Sequence, residues 1–161
     1  MPNTKVYDPH GFVVFCDDVR EESSGKSTYI GVYNHVLSVS KFPAQLPTFA
    51  MVVHLFCNLD ERPRTLEFQM ALPGDDVDKP KIKFQLEPEK LAAQHPDMGD
   101  GDEIFAPREH YTVNLRANPF PLFRSGRLRV TAIWDGKRIA LGSLPVILED
   151  KDDEIIEAEI I

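Results

Sequence analysis

The sequence lacks every feature that would carry it into a bilayer. No apolar run approaches the ~18 residues that a membrane-crossing helix needs, and the opening MPNTKVYDPH has no basic-then-apolar signal pattern. A cytoplasmic chain with no membrane partner is the expectation. Cysteine is scarce: Cys16 and Cys57 are the only two, both in apolar stretches where buried, reduced thiols are commoner than a disulfide. Positive charge is short as well. The formal charge is -8, which disfavours the many Lys and Arg contacts that release counterions from a phosphate backbone, so nucleic acid is not an expected partner. HExxH, GxSxG, P-loop and dinucleotide fingerprints are all missing, and the expectation is a non-enzyme without a cofactor.

What the chain does have is punctuation. Thirteen prolines and nine glycines in 161 residues separate apolar runs of strand length, the rhythm of a β protein. Leu66, Phe68, Met70 and Leu72 fall at every second position, as do Ile82, Phe84 and Leu86, then Tyr111, Val113 and Leu115, then Leu128, Val130, Ala132 and Trp134. Each set predicts a strand with one buried and one wet face. Residues 11–17, 27–33 and 36–39 also read as strands. Residues 48–58, apolar at nearly every position, read as a mid-core strand, either covered on both sides or buried at a sheet's centre. Pro43 and Pro47 make residues 42–47 a crossing loop, and Asp135-Gly136 suits a type I′ hairpin turn. Gly142 and Pro145 predict a bulge followed by an edge strand where sheet growth stops. Only residues 88–95 (PEKLAAQH) have helical composition. The predicted fold is all-β: a two-sheet antiparallel sandwich, immunoglobulin-like or C2-like, spanning residues 1–148, with one short helix and a separate acidic tail at 149–161.

Charge clusters supply the candidate sites. The tail EDKDDEIIEAEII holds seven acids and one lysine, leaving -2 for the rest of the chain; its Ile155 and Ile156 suit docking onto another surface. Between Arg116 and Arg138, six cations meet the single acid Asp135, and alternation sets Arg127 and Arg129 on one face. That face is a candidate receiver for an acidic tail. Asp97, Asp100 and Asp102 crowd one loop, the hard oxygen ligands that calcium favours, with Asp75, Asp76 and Asp78 in a second; plain turn formation is the favoured explanation of aspartates there. His54 interrupts an otherwise apolar strand and is a candidate base or a buried, hydrogen-bonded histidine.

The run Phe15-Cys16-Asp17-Asp18-Val19-Arg20-Glu21-Glu22, with Gly25-Lys26 and Tyr29-Ile30-Gly31-Val32-Tyr33 after it, resembles a family of small bacterial proteins of uncharacterised role. The resemblance covers residues 10–147 and implies a bacterial origin without transferring any site residue. Physically, Asp17, Asp18, Arg20 and Glu21 at a strand end form either a charged network that fixes the next loop or a recognition surface. Three function classes follow. The leading one is a non-enzymatic interaction or accessory module that binds another protein or a second copy of itself. The others are a calcium-dependent ligand-binding sandwich and a hydrolase with a dispersed site built on His54 or His110.

Overall fold

A computed structural model describes residues 9–58, 61–91 and 108–150. In chain order the strands are β1 (His10–Cys16), β2 (Asp18–Glu21), β3 (Ser27–Ile30), β4 (Leu37–Val39), β5 (Ala44–Leu46), β6 (Phe49–Asn58), β7 (Leu66–Ala71) and β8 (Ile82–Leu86). The one-turn helix α1 (Pro88–Leu91) comes next, and β9 (Arg108–Ala117), β10 (Phe120–Leu122), β11 (Gly126–Trp134) and β12 (Lys137–Leu148) complete the described chain. The class is all-β, as the alternation predicts.

Two sheets carry the fold. The first runs β1-β6-β9 and the second β4-β12-β11-β7-β8; two small ribbons, β2-β3 and β5-β10, complete it. Period two decides which side chains meet between the sheets. Met51, Val53, Leu55 and Val113 point in from the first sheet, and Phe68, Met70, Leu128 and Val130 from the second, within one continuous buried cluster. The β5-β10 ribbon closes one end, with Phe120 stacked 4.5 Å from Phe49. Asp135 and Gly136 both take positive φ between β11 and β12, the geometry a type I′ turn demands.

Three expectations need correcting. Residues 44–46 are not loop: the two prolines flank a short strand whose residues pair with β10. Beyond the bulge opposite Val130, β12 is not an edge strand, because β4 pairs with it in parallel from Val146 onward. That pairing also makes the second sheet mixed rather than wholly antiparallel. Third, burial does not alternate along β8, whose ends Ile82 and Leu86 are half-buried while Phe84 is 37% exposed, because the facing sheet has three strands against five and leaves this edge uncovered. Strand β6 takes the centre of the first sheet, one of the two placements its apolar run predicts; its inner side is sealed and its outer side is covered over half its length.

The sheets close most tightly where β1 meets β12. A side chain at Gly11 would place its Cβ 2.3 Å from the His54 carbonyl, 2.8 Å from a Leu55 methyl and 3.0 Å from a Leu141 methyl. Gly11→Ala is expected to cost about 1–3 kcal/mol through overpacking, measured as a lowered denaturant midpoint at unchanged m-value. An unchanged midpoint contradicts the close approach.

Candidate functional site

The outer face of the first sheet divides into two halves. Over one half the β2-β3 hairpin folds back and buries Val19 against Cys16, Ala50 and Val52, with Val14 and Tyr29 alongside. Asp17 anchors that fold-back. Its amide donates to the carbonyls of Ile30 and Gly31, and its carboxylate accepts from the Tyr33 hydroxyl. Gly31, at φ 64°, has no room for a Cβ beside that carboxylate. From β9, Arg116 donates to the Val19 carbonyl and Asn114 to Glu21; Asp18 accepts from the Val19 amide and lies 3.9 Å from Arg116. The charged motif therefore serves as structural mooring through Asp17, Asp18 and Glu21, while Arg20 is exposed.

The other half of the face is lined with rings. Cross-strand register sets His10, Phe56 and His110 in one row and Phe12, His54 and Thr112 in the next. Neighbours stack along the rows: His10 on Phe56 at 5.3 Å, Phe56 on His110 at 4.4 Å, and Phe12 on His54 at 4.7 Å. Phe12 stays 46% exposed. Across the diagonal, His54 Nδ1 and His110 Nε2 are 2.9 Å apart. Their ring centroids lie 5.1 Å apart with planes inclined by 24°, close to that N–N distance plus two ring radii, so the two imidazoles meet edge to edge in line. On its far side His54 Nε2 lies 3.1 Å from the Tyr29 hydroxyl.

Tyr29, His54 and His110 thus form one hydrogen-bonded chain at the border between the covered and open halves. Burial holds both imidazoles below their ordinary pKa of 6.5, and the neighbouring His110 lowers His54 further. Burial raises Tyr29. At neutral pH all three groups are uncharged, and the chain runs in one of two senses. Either the Tyr29 hydroxyl donates to His54 and His54 to His110, or each donation is reversed. The in-line approach leaves no space between the two facing nitrogens for a metal ion, whose bonds to imidazole are ~2.0 Å each; among the described residues no group of three or more His, Cys, Asp or Glu converges on a metal position.

The remaining candidates fall elsewhere. Arg127 and Arg129 are both exposed on the outer face of the second sheet, as alternation predicts, with Arg127 reaching Ser143. The wider basic run is not one patch, because Arg116 serves the hairpin and Arg138 pairs with Asp78 at 2.9 Å. Asp75 accepts the Leu72 amide and pairs with Lys81, and Asp76 accepts the Asp78 amide, so this acidic loop builds its own turn. Asp97, Asp100, Asp102, Ile155 and Ile156 lie outside the described residues. Cys16 and Cys57 are buried thiols on opposite faces of the first sheet, and burial with nearby Glu109 pushes Cys57 up to about 12. Sequence reasoning missed the ring face. Its trace was there in His10 with Phe12 and in His54 with Phe56, each pair two residues apart and out of phase with the core positions.

Residues 11–147 match the model of a family of unknown function, DUF6941. The chain belongs to that family. The match takes in nearly all of both sheets and the β2-β3 hairpin. No curated protein and no solved structure matches the chain.

If Asp17 moors the hairpin, Asp17→Ala will cost about 1.5–3 kcal/mol, the range for hydrogen bonds to a charged group. Amide exchange will accelerate in β2 and β3 while β7 and β11 stay protected. Uniform acceleration, or none, contradicts the mooring role.

Proposed function

We propose that the protein is a non-enzymatic interaction module whose working surface is the ring-lined half of the first sheet, and that its partner presents arginine side chains. The stacked arrangement of exposed Phe12 with half-buried Phe56 and the two half-buried, neutral imidazoles carries this reading. Flat π faces on a rigid sheet attract a planar guanidinium, which stacks on them and keeps its N–H groups free at the rim. The overall charge of -8 favours the approach of a cationic partner at long range.

The test is a titration of the full chain, followed by amide chemical shifts, with a peptide of alternating arginine and glycine and with its lysine counterpart. The arginine peptide is expected to bind more tightly and to shift His10, Phe12 and Phe56. Phe12→Ala should weaken it roughly 5- to 30-fold, the equivalent of about 1–2 kcal/mol for a cation over an aromatic face. Equal affinity for both peptides together with an indifferent Phe12→Ala variant removes the proposal.

A further inference from the structure

The histidine pair lies within the surface assigned above to an arginine-bearing partner, and its geometry limits how many protons that surface holds without changing character. In the neutral state each imidazole has one N–H and one lone pair, and the in-line bond uses one of each. A first added proton leaves the bond in place but makes the pair cationic. A second sets two N–H groups head-on across 2.9 Å, and the rings must part. The surroundings offer little to offset either charge. Tyr29 faces His54 from β3, Phe12 stacks on it from β1, and on β9 His110 is flanked by Phe56 and Thr112. Among the described residues the other imidazole on this face is His10, separated from His110 by Phe56; the cationic Arg108 stands two residues from His110 on the same side of β9 and adds to the positive charge there, and Cys16 lies beneath the hairpin. Neither imidazole has a carboxylate partner among the described residues. The nearby acids Asp17, Asp18 and Glu21 are engaged with Tyr33, Arg116 and Asn114.

We propose that the His54–His110 pair is a proton-operated release for this surface: mild acid makes the stacked rings cationic, and an arginine-bearing partner is expelled by like charge. This regulation rests on the interaction reading above. The sign follows from burial. Folding holds both imidazoles below 6.5, so the neutral pair stabilises the fold fully above that value, and the contribution fades as pH falls from 6.5 toward the lowered folded values. A bound guanidinium disfavours the charged pair further. By linkage the partner must lower the imidazole titration by the same factor with which protons weaken the partner.

The experiment measures affinity of the full chain for the arginine–glycine peptide between about pH 8 and about pH 5, a range that reaches below the ordinary imidazole value from which burial lowers both groups. It is run beside His10→Gln and the double variant His54→Gln/His110→Gln. The expected result is a loss of roughly tenfold for wild type and for His10→Gln, within the usual range for linked sites, and a flat profile for the double variant. Wild-type binding that ignores pH, or a loss that persists in the double variant, overturns the switch and leaves the ring-face reading standing. Absent binding at neutral pH overturns both. Should the double variant not fold, imidazole proton shifts of the wild type decide: the peptide must lower the titration midpoint of His54 and His110, and an unmoved midpoint rejects the proposal.

Discussion

Strand β6 is the constraint from which the molecule is built. It is hydrogen-bonded along both edges, to β1 and to β9, so its backbone cannot rotate and its ten side chains must alternate between two faces. Phe49, Met51, Val53, Leu55 and Cys57 go inward and join the core. Ala50, Val52, His54 and Phe56 go outward, and their character changes along the strand from small and apolar to aromatic and polar. The same ladder that seals the core therefore grades the outer surface.

That grading explains where the hairpin stops. Ala50 and Val52, next to Cys16 and Val14, make a smooth apolar bed on which Val19 is completely covered. His54 carries polar nitrogens that must keep hydrogen-bond partners if they are buried. Tyr29 meets one of them with its hydroxyl, and His110 satisfies the other. The hairpin ends its coverage on a residue that is apolar along its ring and polar at its tip, the side chain type suited to such a border. Mooring by Asp17 and Tyr33 at the opposite end holds the ribbon at the reach that this contact requires.

Much of this was legible because it depends on local pattern. The alternation from Leu66 to Leu72 and from Leu128 to Trp134 locates two core strands, since a strand with one wet face has little freedom in which side chains it buries. Asp135-Gly136 identifies its turn because few other residues accept positive φ twice in succession. What stayed hidden depends on register between distant segments. Parallel β4 lies beside β12 although some hundred residues separate Leu37 from Val146, and no local signal encodes that. Phe84 reads as core because its own strand alternates well, yet its exposure is set by the width of the opposite sheet. His54 stood out as polar within an apolar run, but its bond to His110 spans 56 positions and exists only in the register that sets His54 against Thr112.

The two outer faces now differ in kind. On the second sheet the arginines Arg127 and Arg129 are exposed, with Arg127 bonded to Ser143, and a charge there is screened within ~8 Å at physiological salt. On the first sheet, ring stacking leaves the imidazole pair half-buried, so a charge placed there is screened less. Sensitivity to a single proton belongs to the second kind of surface. A histidine on a solvated strand face would titrate with little effect on its neighbours, whereas one held edge to edge with another, beneath aromatic stacking, converts one bound proton into a change felt across the whole patch.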